Sequence, residues 1–293
     1  MTTQPPVPPT ESGQPGAAVP TCYRHPDRET YVRCQRCERP ICPDCMREAA
    51  VGHQCVECVR GGNRTVRQAQ AVFGGRAVAV PRVAYALIAI NVVAYALQTF
   101  IPRFTQDFAL SPLHVYDGGE WYRMITAAFL HYPLAQGTLG LTHILFNMWA
   151  LYAIGPELER RLGSARFAAL YLVSALGGSV AVYLLGDITV GASGAIYGLF
   201  GALFVVSKRL GYDPRGVVWL VVINVALTLF LAGYISWQGH LGGLVTGGLV
   251  AAAFAYAPAK NRSLVQWAAV GVIVVALILT VLLLPPYATL NAL

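Results

Sequence analysis

Five of the polar side chains within long apolar stretches of the sequence are of types that could do chemistry together, and an unpaired polar group is costly there. They are His143, Asn147, Ser193, Tyr197 and His240. Ser193 stands in the small-residue sequence 191–194, Gly-Ala-Ser-Gly, and a serine hydroxyl becomes a useful nucleophile when a histidine takes its proton. Taken singly, each residue also has a structural interpretation: helix packing at Ser193, an interhelical hydrogen bond at His143 and Asn147, and a structural histidine at position 240.

The composition indicates a membrane protein, because 56% of the 293 residues are hydrophobic and only 12% are charged. Seven apolar segments follow the N-terminal region, at 83–101, 139–155, 165–185, 192–207, 217–234, 237–257 and 264–284. A helix of about 21 residues is roughly 31 Å long and can cross the hydrocarbon core. The second and fourth segments are shorter and contain polar residues, which favours helices that line a cavity.

The distribution of Lys and Arg predicts the orientation. If the N-terminus is cytoplasmic and the segments alternate, Arg103 and Arg123 lie outside, and thirteen other Lys and Arg residues between 60 and 262 lie in the cytoplasm. The C-terminus is then outside. The formal net charge of +7 reflects this orientation, and no nucleic-acid partner is expected. Nothing before the first apolar segment resembles a signal peptide, so we expect the N-terminal region to stay in the cytoplasm. We expect a multi-pass protein of the cell membrane.

With this topology the second, fourth and sixth segments all run inward. His143, Ser193 and His240 then lie at one shallow depth on the outer side, which no single motif requires. Small residues repeat every three or four positions in the fourth and sixth segments, so the two helices can approach closely and bring Ser193 within hydrogen-bond reach of His240. No Asp or Glu lies within a segment, so we expect a Ser–His dyad, with Tyr197 packed on the imidazole.

The N-terminal region contains four pairs of Cys or His with two residues between the partners. They are Cys22 and His25, Cys34 and Cys37, Cys42 and Cys45, and Cys55 and Cys58. Eight such ligands are the number that two tetrahedral zinc ions require. A disulfide framework is the alternative, but an odd number of cysteines and a reducing cytosol argue against it.

This spacing resembles the B-box zinc finger, a small cross-braced module. The resemblance implies that the first and third pairs, Cys22, His25, Cys42 and Cys45, hold one structural zinc ion. The second and fourth pairs, Cys34, Cys37, Cys55 and Cys58, would hold the other. B-boxes often end in histidines, whereas the last pair here is Cys-x2-Cys, so His53 remains an alternative ligand to Cys55.

The polar residues of the apolar segments are similar to those of rhomboid intramembrane serine proteases, over residues 82–257. The matching motifs are Glu120-Trp121-Tyr122-Arg123, His143-Ile-Leu-Phe-Asn147, Gly191-Ala-Ser-Gly194 with Tyr197, and Gly239-His240. The family's Trp-Arg loop motif here has Tyr122 inserted. The resemblance implies that Ser193 is the nucleophile and His240 the general base. His143, Asn147 and the Ser193 N–H would form the oxyanion hole, with no cofactor for catalysis.

These patterns together predict an all-α polytopic membrane protein, a rhomboid-like six-helix bundle plus one C-terminal helix, after a small cytosolic zinc-binding domain. The expected organisation is a disordered Pro-rich tail at 1–21, a B-box-like finger at 22–60, a basic linker at 61–82, a rhomboid core at 83–257, and a seventh helix with its tail at 258–293. We expect an endopeptidase of transmembrane segments in the lipid bilayer, with the finger docking a cytosolic protein. A non-catalytic protein that escorts transmembrane clients is the alternative, and a transporter is a third.

Overall fold

The computed structural model describes residues 19–65, 69–230 and 235–290. The chain forms two compact units, residues 1–68 and 69–293, and each is described by itself. Residues 1–18 of the predicted Pro-rich tail lie outside the described residues, as do residues 231–234 at the end of the predicted fifth segment.

The first unit has very little regular structure. An antiparallel hairpin of β1 (Met46–Glu48) and β2 (His53–Cys55) leads directly into helix α1 (Val56–Thr65). Its buried core consists of Ile41 and five cysteines: Cys22, Cys34, Cys42, Cys45 and Cys55. So few apolar side chains cannot stabilise a unit of this size, and the clustered cysteines could hold a metal ion that does so.

Long helices make up most of the second unit. In chain order the helices are α2 (Arg82–Phe100), α3 (Phe104–Phe108), α4 (Pro112–Tyr116), α5 (Arg123–Thr126), α6 (Thr138–Leu162), α7 (Ser164–Leu185), α8 (Ser193–Arg209), α9 (Arg215–Phe230), α10 (Trp237–Tyr256), α11 (Arg262–Leu283) and α12 (Tyr287–Leu290). The seven long helices follow the seven predicted segments in order, which confirms the all-α polytopic fold.

Four stretches of the described chain are long and apolar enough to cross a membrane: α2, α7, α10 and residues Ala259–Leu283, which include α11. Helix α9 is apolar but shorter. Helix α6 continues seven residues beyond the predicted end of its segment at residue 155. The prediction followed hydropathy, whereas Glu157 and Arg161 form an i,i+4 ion pair of 2.5 Å that continues the helix in polar sequence.

Helices α8 and α10 pack with their backbones in contact, as the small-residue spacing predicted. A Cβ atom on Gly243 would overlap the carbonyl oxygen of Gly194, and one on Gly247 would overlap the backbone of Gly198. Helix α7 joins this contact, which the sequence analysis did not foresee: a Cβ on Gly242 would lie 2.6 Å from the carbonyl oxygen of Gly177. The three helices therefore position the polar residues on α8 and α10 with little freedom.

The loop between α2 and α6 is held together by Arg123, which is 5% exposed. Its guanidinium donates to the carbonyl oxygens of Gln106 (2.7 Å) and Ala109 (2.8 Å) and pairs with Glu120 at 2.5 Å. The Arg123 and Tyr122 hydrogen bonds lower the pKa of the Glu120 carboxyl. Trp121 is 42% exposed, as an interfacial anchor would be.

Candidate active site

Ser193 is the first residue of α8 and follows a short loop from the end of α7. The loop is tied down at Gly191, whose N–H donates to the carbonyl oxygen of Ala127 at 3.0 Å. No side chain caps α8. The first backbone N–H groups of a helix have no intrahelical acceptor, so the N–H of Ser193 is available as a donor beside its own hydroxyl.

Gly191 adjoins the side chains of both Ser193 and His143. A Cβ atom on Gly191 would lie 3.3 Å from Oγ of Ser193 and 3.3 Å from Nε2 of His143, so a side chain here would crowd both atoms. The φ angle of Gly191 is +146°, a backbone conformation that residues other than glycine rarely adopt. Oγ of Ser193 and Nε2 of His143 therefore converge on the same side of Gly191, and a nucleophile and a donor that converge are what an acyl-transfer reaction requires.

The hydrogen bond of His143 determines which ring nitrogen is the donor. The backbone N–H of Tyr132 donates to Nδ1 of His143 at 3.2 Å. A neutral imidazole that accepts at Nδ1 carries its proton on Nε2, the atom that lies beside Gly191. The Asn147 amide donates one proton to the carbonyl oxygen of His143 at 2.7 Å and retains a second for another acceptor.

A second histidine, His131, packs its ring against that of His143, with centroids 5.1 Å apart. Its side chain is fully buried, and its backbone is held by the Gln98 amide through bonds of 2.9 and 2.8 Å. Burial, together with the neighbouring His143, lowers the pKa of His131 to about 3, so the ring is neutral. The sequence analysis did not single out this residue.

His240 lies in the first turn of α10 and is 7% exposed. Its ring stacks on Tyr197 with centroids 3.9 Å apart and an interplanar angle of 15°, the packing that the sequence analysis expected. Its Nδ1 lies 2.9 Å from the hydroxyl of Thr228 on α9. Thr228 was not predicted as a site residue, since one threonine in an apolar helix gives no signal of its own in the sequence.

The Thr228 hydroxyl has three neighbours and one proton. The carbonyl oxygen of Asn224 and the hydroxyl of Tyr197 each lie 2.8 Å from it, in addition to His240. A carbonyl can only accept, so Thr228 donates to Asn224 and accepts from the other two groups. His240 therefore carries its proton on Nδ1, and its Nε2 has a free lone pair. The hydrogen-bond network thus assigns to His240 the tautomer that a general base requires.

The expected hydrogen bond between Ser193 and His240 is not formed in this structure, although both side chains are described. The adjoining backbones are close, since a Cβ on Gly194 would lie 3.2 Å from the carbonyl oxygen of Gly239. Hydrogen bonds between catalytic groups are often long in ligand-free enzymes and tighten when substrate binds.

A small cavity of about 30 Å³ lies beside Ser193, with Ser236, Ser179 and Thr189 also in its wall. That volume holds about one water molecule, and the hydroxyls supply polar partners for it. Gln238, two residues after Ser236, does not line this cavity and donates instead to the carbonyl oxygen of Leu185 at 3.0 Å.

In the first unit, the eight predicted ligands form two clusters. Cys22, His25, Cys42 and Cys45 make up one, and Cys34, Cys37, Cys55 and Cys58 the other, with ligand atoms within 4.8 Å of one another. Tetrahedral zinc with bonds of about 2.3 Å places sulfur ligands about 3.8 Å apart. The Cys37 and Cys55 sulfurs are 3.8 Å apart, and Nδ1 of His25 is 3.3 Å from the Cys42 sulfur. His53 belongs to neither cluster, so Cys55 is the ligand that the geometry supports.

Hydrogen bonds to the sulfur atoms favour thiolates in the second cluster. The N–H of Cys55 donates to the Cys34 sulfur at 3.2 Å, and the N–H of Cys58 donates to the Cys55 sulfur at 3.3 Å. Arg39 lies 3.3 Å from the Cys37 sulfur and lowers the pKa of that thiol. Thiolate and imidazole donors of this kind and spacing fit zinc.

Comparison with known proteins shows which proteins are similar to the helical part of the chain. Residues 118–257 match the family model of the rhomboid domain. The chain is 36% identical over 141 residues to rhomboid protease GluP of Bacillus subtilis (strain 168), covering 46% of this chain and 26% of GluP. It is 38% identical over 139 residues to the putative rhomboid protease YdcA of the same organism, covering 45% of this chain and 66% of YdcA.

A plant relative matches a stretch of similar length. RHOMBOID-like protein 6, mitochondrial, of Arabidopsis thaliana is 34% identical over 146 residues, covering 47% of this chain and 45% of the plant protein. The chain thus spans less than two thirds of the relatives named here. The matched residues include Ser193, His240, His143 and Asn147, on helices in the order described above. Residues 118–257 of this chain thus form a rhomboid domain.

Proposed function

We propose that this protein is an intramembrane serine endopeptidase that cleaves transmembrane segments with a dyad of Ser193 and His240. The observation that carries the proposal is the convergence of the Ser193 hydroxyl oxygen and Nε2 of His143, each 3.3 Å from the point that a Cβ atom on Gly191 would occupy. A nucleophile and a hydrogen-bond donor thus converge beside a residue that has no side chain. They suit a carbonyl carbon under attack and the oxyanion that the attack creates.

In the proposed mechanism, Nε2 of His240 takes the Ser193 proton as Oγ attacks the scissile carbonyl. The carbonyl oxygen becomes an oxyanion that accepts hydrogen bonds from Nε2–H of His143, the Asn147 amide and the Ser193 N–H. The imidazolium of His240 then gives its proton to the leaving amine. Water, activated by the same nitrogen, hydrolyses the acyl-enzyme and restores the free hydroxyl.

Thr228 and Tyr197 act in this proposal as positioning residues for His240. A catalytic histidine usually has its non-reacting nitrogen hydrogen-bonded to a carboxylate that holds the tautomer. Here the Thr228 oxygen accepts from Nδ1–H, and Tyr197 supports the flat face of the ring while donating to the same oxygen. The stacked aromatic ring also stabilises the imidazolium that forms transiently.

The substrates we propose are membrane-spanning protein segments. A peptide bond in a transmembrane helix is shielded by its own hydrogen bonds, so the substrate must unwind locally near Ser193. Segments with small or helix-destabilising residues at that depth are then preferred. We also propose the orientation that Lys and Arg predict, with the N-terminal unit in the cytoplasm, the C-terminus outside and the protein in the cell membrane.

The first unit, in our proposal, binds two structural zinc ions through the two clusters and docks a cytosolic protein or substrate tail. Zinc would supply the folding energy that its small apolar core lacks. The finger at 22–60, the linker at 61–82, the core at 83–257 and the C-terminal part at 258–293 are the corresponding proposed domains. No cofactor takes part in the proposed catalysis.

The experiment that tests the function uses a fluorophosphonate probe on the purified full chain, followed by identification of the labelled residue. We expect labelling at Ser193, and cleavage of a single-span test substrate that Ser193→Ala and His240→Ala both abolish. Ser207→Ala is the matched control, because Ser207 is a buried serine on the same helix and far along it from Ser193. Cleavage by the folded Ser193→Ala protein would refute the assignment, and absence of both labelling and cleavage would favour the client-escort alternative.

A further inference from the structure

The end of the helical bundle away from Ser193 contains a cavity of about 470 Å³, a size typical of small-molecule pockets. It lies where α7 begins, beside the start of α2 and the chain segment before it. Three arginines, Arg76, Arg82 and Arg166, line it, and residues 77–80, Ala-Val-Ala-Val, form an apolar part of the wall. The proposed proteolysis does not use this cavity.

Arg166 is the most informative of these residues, because it is only 7% exposed and forms no ion pair with another described residue. Its Nε–H donates to Oε1 of Gln266 at 2.8 Å. The Gln266 amide nitrogen is engaged by the carbonyl oxygens of Phe73 and Phe254 at 2.8 and 2.7 Å, so Gln266 holds the guanidinium in one orientation. Among the described residues, the terminal amino groups of Arg166 donate to no acceptor, and no carboxylate lies within ion-pair distance.

Neighbouring charged side chains raise the free-energy cost of burying the Arg166 guanidinium. Cδ of Arg262 and Nη2 of Arg166 both lie 3.3 Å from the position that a Cβ on Gly74 would take. The nearby carboxylate, Glu159, is already engaged by the N–H groups of Val83 (3.2 Å) and Ala84 (2.8 Å) and by the Ser164 hydroxyl. A buried cation next to another cation, with the local carboxylate occupied, is destabilising unless an anion binds there.

The start of α7 adds donors to the same cavity. Gly163, Ser164 and Ala165 line it, and the helix of 22 residues has no side-chain cap. Its first backbone N–H groups therefore lack acceptors. The positive end of the helix dipole lies at the same end of the bundle as the three arginines. Uncapped helix N-termini and arginine forks are both groups that bind phosphate oxygens.

We propose that this cavity binds the phosphate group of an anionic phospholipid. Phosphate is the anion whose geometry matches an arginine fork together with backbone N–H groups. A lipid is favoured over a free ion because the cavity lies at the ends of membrane helices and has an apolar wall at 77–80 for the first part of an acyl chain. Basic pockets between membrane helices bind anionic headgroups in this way.

The test is native mass spectrometry of the full chain in detergent, titrated with phosphatidylglycerol or with phosphatidylcholine of the same acyl length. We expect one phosphatidylglycerol per chain at concentrations at which phosphatidylcholine leaves the site empty. Arg166→Lys, which keeps the charge but loses the fork, and Arg82→Gln should each weaken binding roughly tenfold, as expected for a lost charge-assisted hydrogen bond. Arg215→Gln is the control, since Arg215 is highly exposed and outside the cavity.

Inorganic phosphate, added as a competitor, distinguishes a lipid headgroup from a free phosphate ion as the ligand of the cavity. If millimolar phosphate displaces the lipid only weakly, the headgroup of a lipid is the ligand. If inorganic phosphate binds, its binding is weakened by Arg166→Lys and Arg82→Gln, and phosphatidylglycerol does not bind, the site takes soluble phosphate and the lipid assignment is wrong. Equal binding of both lipids, or equal weakening by Arg215→Gln, overturns the site itself. Arg82 is exposed at the start of α2, so its variant gives an answer even if Arg166→Lys does not fold.

Discussion

Replacing Thr228 with valine removes the hydroxyl that accepts from Nδ1–H of His240 and leaves the shape of the side chain nearly unchanged. Thr228 is 4% exposed, so water cannot take the place of the lost oxygen. The Nδ1–H of His240 and the Tyr197 hydroxyl would then both lack an acceptor. The imidazole gains by moving its proton to Nε2, where it can no longer take the Ser193 proton.

The magnitude follows from the cost of an unpaired buried donor, about 1–3 kcal/mol. If that cost raises the barrier of the step in which His240 acts as base, kcat falls by about 5- to 150-fold, since 1.36 kcal/mol corresponds to tenfold. KM should change little, because Thr228 lies behind His240 and does not contact substrate. The rate of fluorophosphonate labelling at Ser193 should fall by a similar factor. This rate does not depend on substrate binding.

Kinetics in liposomes with a single-span substrate, together with the labelling rate, would measure this effect. Thr228→Ser keeps the oxygen and should retain most of the activity. Thr280→Val is the matched control, because Thr280 also donates to a carbonyl in its own helix, at 2.8 Å, but lies far along the chain in α11. Wild-type kcat in folded Thr228→Val would refute the tautomer argument, and equal losses in the serine and valine variants would show that packing, not the hydroxyl, is responsible.

Three further predictions concern the same site and the first unit. Gly191→Ala places a methyl group 3.3 Å from both Oγ of Ser193 and Nε2 of His143 and strains a φ of +146°, so cleavage should fall at least as far as with loss of an oxyanion donor, about 10²–10³-fold, at unchanged protein yield. Asn147→Ala should lower kcat by up to that factor with little change in KM, and a pure KM effect would reassign Asn147 to substrate binding. Metal analysis should give two zinc ions per chain, and a strong chelator should unfold the first unit while cleavage of a substrate without a cytosolic part continues.

Repeating patterns were the features that the sequence predicted well. The seven apolar segments, the small-residue contact between α8 and α10, and the grouping of the Cys and His pairs each depend on periodicity or spacing that many residues share. The end of α6 at Leu162 was not predicted, because hydropathy marks the membrane and not the helix. A helix continues into polar sequence wherever ion pairs such as Glu157 with Arg161 support it.

Contacts between single residues on different helices could not be predicted. Thr228 looks like any threonine in an apolar helix until α10 places His240 beside its oxygen. The same holds for Glu159, whose two bonds to the start of α2 join residues 75 positions or more apart in the chain. Such contacts arise from tertiary packing, and no local pattern in the sequence records them.

The distribution of charge in the second unit explains why a hydroxyl supports His240. Glu159 and Arg166 are buried near one end of the bundle, where water, headgroups and helix termini can offset the cost of a charge. The proposed site instead contains neutral groups, from His143 and Asn147 to Thr228 and Tyr197. A carboxylate beside His240 would stabilise the imidazolium more strongly, but between cleavage events it would be a buried, unpaired charge in a water-poor environment. A hydroxyl that already donates to a helix carbonyl holds the same tautomer without that cost.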